Sequence, residues 1–344
     1  MRDIIRVNDN FSKIYLRAYA QTNCAYKLSI IISKGVTQMK NQKQTGLFLF
    51  ILTLIAAAVV IITYASDCFV FVADGDGFAD FSPADYQTIE LSHDDVYRGD
   101  LILIRSDIPC KNFETEEMTR LYDLKERSYQ LGNADIRLKR EAAEALDVML
   151  KDFCKAVGSN DINVISGFRS VELQQKLFEE KTELCGEKEA QRWVARPGYS
   201  EHHSGYAVDF GIYRNGASSK FNGKGKYRWL QAHAHEYGFV LRYATEKEKT
   251  TGIAGESWHF RYVGVPHACY MKQKQMCLEE YERHIKDYSY RSKHMRVTDG
   301  RGKQYEVYYV KAEQNITEVP VPRDADYTVS GNNVDGFIVT ACLS

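Results

Sequence analysis

The order of elements readable in these 344 residues predicts an α+β fold. It is a mainly antiparallel sheet flanked by helices, with a transmembrane helix ahead of it and a small β appendage behind. Three observations carry that prediction. An uncharged run of 23 residues, Gln44–Ser66, precedes the first strand pattern. Between about 95 and 290, helical periodicity alternates with short apolar strands. From about 295 onward the helical period stops, and alternating segments follow one another between turn residues.

The uncharged run comes first. TGLFLFILTLIAAAVVIITYAS, residues 45–66, rises about 1.5 Å per residue as a helix and crosses a hydrocarbon core of roughly 30 Å. It is apolar all round, without the stripe of a surface helix. It also exceeds the apolar core of about 7–15 residues usual in a cleaved signal, and the TYASDC end has no A-x-A site. We read 45–66 as an uncleaved anchor. Residues 1–45 hold eight Lys/Arg against Asp3 and Asp9, so the N-terminus stays inside and residue 67 onward is exported. Met39-Lys40-Asn41-Gln42-Lys43 and the run form a complete export signal by themselves, which makes 1–38 read as an upstream start artefact. The chain thus divides into a cytoplasmic segment 1–44, an anchor 45–66, a principal domain 67–294 and a β appendage 295–344.

Composition narrows the function. The residues after 45 carry 37 basic and 44 acidic side chains, a balance that excludes the clustered positive charge nucleic acid requires. Eight cysteines include no C-x-x-C pair, so neither a cysteine zinc site nor a thioredoxin-like motif is indicated. Seven of them after the anchor are too few for a disulfide scaffold.

Each element of the domain has a local reason. GDLILIR, 99–105, is a continuous apolar run and reads as a strand. Residues 114–157 show helical periodicity, with Leu146, Met149, Leu150 and Phe153 on one face and Gly158-Ser159-Asn160 as the stop. INVISGFRS, 162–170, is a strand entering a turn, and Ser170 caps the helix that follows. YAVDFGIY is a strand, KYRWLQAHAHEYGF a helix, and FVLRY and ESWHFRYVG strands. A helix begins at Pro266, where proline suits the first turn. MRVTDGRGKQYEVYYVKA then turns at Asp299-Gly300, and VPVP, YTVSGNN and DGFIVTACL continue as β segments.

SEHHSGYAVD, 200–209, holds the chain's one pair of adjacent histidines, with an aspartate a few residues on. A catalytic zinc site takes three protein ligands, and two histidines with one carboxylate are a usual set. This stretch offers a histidine and Asp209. ESWH offers His259 and the nearby Glu256. On a strand, positions i and i+3 face opposite ways, so Glu256 shares a site with His259 only from the strand mouth, past a bend. Gly252 and Gly255 make that bend plausible. Whether His202 or His203 is the ligand stays open on spacing alone.

The order SGFRS, then S-x-H-x-x-G-x-A-x-D, then E-x-W-H resembles the VanY-type D-alanyl-D-alanine carboxypeptidases, zinc peptidases of peptidoglycan stem peptides. The likeness covers about residues 95–290, including GDLILI, PGYSEHHSGYAVDFGI, YGFVLRY and TGIAGESWHFRYVG. It extends more loosely through YEVYYV and VSGNNVDGFIVT. The resemblance implies Zn2+ as cofactor with His202, Asp209 and His259 as ligands. It implies Glu256 as general base and Arg169 as the group that polarises the substrate carbonyl. It makes Gln174 a residue lining the substrate site. For the carboxylate of the leaving D-alanine, Ser200, Tyr243, Lys247 and Thr251 are the donors in question, Ser200 and Tyr243 foremost. His203 is left as a neighbour, Trp258 as a packing residue, and His233, His235 and His267 as structural.

The expectation is therefore a membrane-anchored, extracytoplasmic zinc D,D-carboxypeptidase, its catalytic domain at 67–294. Rivals of the same fold are an L,D-carboxypeptidase and a peptidoglycan endopeptidase. A rival of another class is a non-catalytic, zinc-stabilised wall-binding module, which has no need of a base such as Glu256 beside the metal. On this reading His202→Ala abolishes zinc binding, whereas His203→Ala mainly alters substrate affinity.

Overall fold

Val208 and Phe210 point to one face of their strand while Asp209 and Gly211 point to the other, and that division organises the domain. A computed structural model describes residues 83–113 and 118–343. The run 45–66 lies outside the described residues; among those described, no helix is long and apolar enough to cross a membrane. The strands are β1 Tyr86–Ser92, β2 Met118–Arg120, β3 Gln130–Leu131, β4 Arg137–Lys139, β5 Ile162–Ser166, β6 Ala207–Arg214 and β7 Ala217–Lys220. They continue with β8 Phe239–Tyr243, β9 Glu256–Tyr262, β10 Met295–Thr298, β11 Gln304–Lys311, β12 Ile316–Pro322, β13 Tyr327–Gly331 and β14 Gly336–Cys342. The principal helices are α1 Arg140–Val157, α2 Val171–Cys185, α3 Arg228–His233, α4 Val265–Lys274 and α5 Leu278–Ile285.

The central sheet has the spatial order β3-β5-β6-β9-β8, with β7 folded back on β6. Only β3 and β5 pair in parallel; the other pairings are antiparallel, as the sequence predicts. One face is apolar. Ile162, Val164, Val208, Phe210 and Phe260 meet Leu146, Met149, Leu150 and Phe153 of α1 in a fully enclosed core. Burying a side chain of this kind stabilises by about 1.5–3 kcal/mol before entropy is counted. α1 ends where Gly158 turns left-handed at φ 67° and donates to the Cys154 carbonyl. Ser170 caps α2 as expected, its Oγ accepting from Leu173 N at 3.2 Å.

Three local expectations are revised. Of the periodic stretch 114–157, the described residues 118–157 are helical only from Arg140, apart from one turn at Leu121–Leu124. Asn133 closes a side-chain turn on Asp135 N (2.9 Å), and Leu138 is buried from the antiparallel β2–β4 pair. GDLILIR is buried but joins no sheet. Its backbone is tied instead by Leu101 N to Ser330 Oγ (2.9 Å) and Leu103 N to Asn332 O (3.0 Å). The helix from Pro266 is two helices, α4 and α5, parted where Gln275 takes φ 53°.

The C-terminal strands do not stand apart. β10-β11-β14-β13 form an antiparallel sheet, while β12 leaves it to pair with β1 over seven residues, from Tyr86 opposite Pro322 to Ser92 opposite Ile316. Both faces of this sheet are covered. Val307, Tyr309 and Ile338 pack with α4, α5, Leu101 and Leu103. Tyr308, Phe337 and Val339 pack with Val96, Val319 and Val321. The six described cysteines beyond residue 100 are all free thiols.

Gly331 marks how closely these parts fit. A methyl group there would lie 2.1 Å from the Val96 carbonyl oxygen. Gly331→Ala is expected to destabilise the fold by about 1–3 kcal/mol, the usual cost of overpacking, in urea melts followed by circular dichroism. An unchanged midpoint would mean that the 93–97 turn does not pack on β13.

Candidate metal centre and active site

The polar face of the sheet carries the site. β6 and β9 pair so that Asp209 stands directly opposite His259, and both project to the same side. His202 comes from the short 3-10 turn Glu201–Ser204 just before β6, ended by Gly205 at φ 76°. One ligand atom from each of His202, Asp209 and His259 falls within 4.8 Å of the others, and all three residues are buried. His202 Nε2 is 3.1 Å from Asp209 Oδ2, and His259 Nδ1 is 3.0 Å from Asp209 Oδ1.

These atoms are arranged as a donor set. His202 Nδ1–H donates to the Gly167 carbonyl at 2.7 Å, leaving Nε2 as a lone pair toward Asp209. His259 Nε2–H faces Glu201 Oε2 at 3.3 Å, leaving Nδ1 free. Asp209 Oδ1 is buried and makes no hydrogen bond, despite its 3.0 Å approach to His259. Proximity without hydrogen-bond alignment is what lone pairs aimed at a common third atom produce. Two imidazoles and a carboxylate, each imidazole oriented through its other nitrogen, suit zinc. The residues present fit that metal.

Glu256 reaches the same cavity by a bulge. Between Leu241 opposite Phe260 and Tyr243 opposite Glu256, β9 advances four residues while β8 advances two. The extra residues turn Glu256 toward His259, and its Oε2 lies 3.8 Å from His259 Nδ1. The irregularity thus lies within β9, beyond the Gly252–Gly255 bend the sequence pointed to. A second bulge, at Ile165 of β5, brings Ser166 opposite Asp209.

Burial shapes the titration of this cluster. It pushes the Glu256 carboxyl up to about 7, opposed by the His259 charge and reinforced by Asp209. His202 is held down at about 4 by burial and the adjacent Arg169 charge. Burial would lower His259 too, but the Asp209 and Glu201 carboxylates beside it raise it to about 9. Three carboxylates thus converge on His259, an environment that calls for a cation.

Arg169 is buried beside these residues rather than paired on the surface. Its guanidinium donates to Gln174 Oε1 (2.8 Å), Ser166 Oγ (2.9 Å) and Asp209 Oδ2 (3.4 Å). Gln174 lines the cavity with its amide engaged at both ends, Oε1 by Arg169 and Nε2 by the Ala195 carbonyl at 2.6 Å. It holds Arg169. Ser200 also lines the cavity while its Oγ accepts from His202 N. The Tyr243 ring centre lies 4.9 Å from that of His259. Lys247 is elsewhere, paired with Glu280 at 2.7 Å, and Thr251 bonds within its own loop. The cavity measures about 360 Å³ and is also bounded by Leu177, Lys181, Trp193 and Trp258.

Four buried charged residues behind the site went unread in the sequence: Glu201, Arg242, Arg261 and Glu279. They form one buried charge network. Glu201 Oε1 accepts from Arg242 Nε at 2.8 Å and from Arg261 Nη1 at 3.1 Å. Arg242 forks onto both oxygens of Glu279 at 2.6 and 2.9 Å. One signal was available. Arg261 is two residues past His259 on a strand, hence on the same side.

Comparisons with known proteins place the chain in a family. A family model described as "VanY: D-alanyl-D-alanine carboxypeptidase" matches residues 135–265. A D-alanyl-D-alanine carboxypeptidase of Enterococcus faecium is 34% identical over 253 residues, covering 73% of this chain and 77% of that protein. The chain belongs to the VanY family. Another relative, the bifunctional D-Ala-D-Ala dipeptidase and D-Ala-D-Ala carboxypeptidase VanXYC of Enterococcus gallinarum, is 32% identical over 156 residues, 44% of this chain and 80% of its own. Among solved structures, the vancomycin resistance D,D-dipeptidase VanXYg in complex with a D-Ala-D-Ala phosphinate analogue aligns with a TM-score of 0.68 at 32% identity. That alignment covers 75% of this chain and 99% of the other. This VanY-family chain is therefore an enzyme of the peptidase class, with the mixed α/β fold of its relatives.

His203, the neighbour of His202, supports the site from behind rather than lining the cavity. It is 1% exposed. Its Nδ1–H donates to the Arg169 carbonyl at 2.7 Å, and its Nε2 accepts from Gly198 N at 3.1 Å. It clamps the Arg169 turn to the 198–203 loop. His203→Ala is expected to cost about 1–3 kcal/mol of stability by stranding both groups. It should lower kcat through Arg169 and leave bound metal unchanged. Thermal melts, metal analysis and kinetics check this; a raised KM at unchanged kcat and stability would return His203 to a substrate-contact role.

Proposed function

We propose that the protein is a membrane-anchored, extracytoplasmic zinc D,D-carboxypeptidase. Its substrate is the peptidoglycan stem peptide, from which it releases the terminal D-alanine. The observation that carries this reading is the convergence of His202, Asp209, His259, Glu256 and Arg169 on one cavity in a VanY-family chain. The anchor rests on the uncharged run 45–66, and export of the remainder rests on the basic residues before it.

His202 Nε2, Asp209 and His259 Nδ1 would hold the zinc. When bound, zinc supplies Lewis acidity and brings the pKa of water down to about 7. The chain's own groups do the rest. Glu256 accepts the proton of the attacking water and returns it to the leaving amine, one carboxylate acting first as base and then as acid. Its burial favours the neutral form and so strengthens the carboxylate as the base that takes the proton from water. Arg169 stabilises the charge that develops on the scissile carbonyl oxygen, a contribution on the order of 3–4 kcal/mol per donor in comparable sites. Gln174 and Ser166 keep the guanidinium in place.

Purified protein with penta- and tetrapeptide muropeptides, followed by mass spectrometry, tests the reading. Release of D-alanine from the pentapeptide, lost with chelator and restored by zinc, is expected. Cleavage of the tetrapeptide alone would make it an L,D-carboxypeptidase, and cleavage of cross-links alone an endopeptidase. Glu256→Ala is expected to keep zinc and lose about 10²–10⁴-fold or more in kcat. Unimpaired hydrolysis by that variant would remove Glu256 from the mechanism.

A further inference from the structure

The Glu201 carboxylate lies wholly inside the protein, and each of its oxygens has a distinct partner. Oε1 takes the Arg242 and Arg261 guanidinium groups; Oε2 faces His259 Nε2. Arg261 continues to the backbone carbonyls of Asp100 (2.8 Å) and Ile102 (3.1 Å), and Arg242 to Glu279 on α5. Two carboxylates and two guanidiniums make this buried cluster neutral.

We propose that Glu201 is the positioning residue of the metal site, acting through His259. The two arginines keep it an anionic acceptor, and as such it fixes the His259 proton on Nε2 and presents Nδ1 as the metal donor. This rests on the zinc reading above. Replacing Glu201 has two physical consequences, and the second sets it apart from a merely structural acid such as Glu279. A glutamine there keeps the shape but removes one negative charge, leaving two buried guanidiniums against Glu279 alone, so the cluster gains a positive charge beside the cation. The amide also cannot accept from two arginines and from His259 without turning its NH2 on one of them. If that NH2 faces His259 Nε2, the imidazole proton moves to Nδ1 and the donor is lost. Carboxylate partners of metal-bound histidines typically change metal affinity by about 10–100-fold when removed.

The test compares E201Q with E279Q in the full-length protein, using zinc alone as the probe in chelator competition, with thermal melts alongside. E279Q breaks the far end of the same network but leaves the acceptor of His259 intact. The expected result is a loss of about 10–100-fold in zinc affinity for E201Q and a much smaller loss for E279Q at a comparable drop in melting temperature. Parental affinity in E201Q, or equal losses in both variants, overturns the proposal. A measurement on the unmutated protein covers the case in which E201Q does not fold. The nitrogen-15 spectrum of the zinc-loaded protein should show the His259 proton on Nε2; a proton on Nδ1 overturns the proposal. Absence of zinc binding by the parent protein is a separate outcome. It overturns the zinc reading itself, and this inference with it.

Discussion

The antiparallel register of β6 on β9 sets Asp209 across from His259, and the site depends on it. Side chains alternate along a strand, so a slip of one residue would send His259 to the apolar face and put Phe260 or Trp258 opposite Asp209. The register is fixed from behind. Val208 and Phe260, one position along from the ligands, also stand opposite each other and are fully buried on α1. The apolar core and the Asp209–His259 pair of the candidate metal site are therefore specified by one pairing, read on its two faces.

The same face carries charge that burial alone would not tolerate. Glu201, Arg242, Arg261 and Glu279 are almost completely enclosed. Buried ion networks are weak evidence for stability, because desolvation offsets much of their attraction. Here the network joins the site to parts of the chain that look peripheral. Arg261 holds the 100–102 segment, whose neighbouring residues also hydrogen-bond to Ser330 and Asn332. Glu279 belongs to α5, which packs on the C-terminal sheet. Segments without chemical motifs thereby become the foundation of the candidate metal centre.

What was legible in the sequence was local or short in period. Alternation in YAVDFGIY gave β6, Ser170 gave the start of α2, and the motifs S-x-H-x-x-G-x-A-x-D and E-x-W-H, through the family they resemble, gave His202, Asp209, Glu256 and His259 as the residues that converge. Long-range pairing was not legible. β1 and β12 are more than 220 residues apart and carry no mark of each other. GDLILIR resembles a strand because its apolar run is continuous, but burial between clusters asks only for apolar residues and supplies no ladder partner. Glu201 escaped notice because an acidic residue beside a histidine ordinarily reads as solvated surface. Its partners arrive from 41, 60 and 58 residues away. The two bulges escaped as well, and they decide where Glu256 and Ser166 point.

The adjacent histidines show how the candidate ligand His202 and the proposed oxyanion group Arg169 are joined. Arg169 N donates to the His202 carbonyl at 3.1 Å, and the Arg169 carbonyl accepts from His203 Nδ1 at 2.7 Å. The Arg169 side chain then returns to Asp209. Backbone and side chain of one arginine thus bind the 3-10 turn that supplies one ligand and the strand that supplies another. The residue that would stabilise charge on the substrate cannot shift without disturbing the ligands, nor they without disturbing it. Such coupling favours preorganisation, since donors already in place need no reorganisation as charge develops. It also explains why both neighbours in the pair are histidine. A tautomer with one donor and one acceptor is required twice in succession, once toward a metal and once across two backbone groups, and imidazole meets both needs.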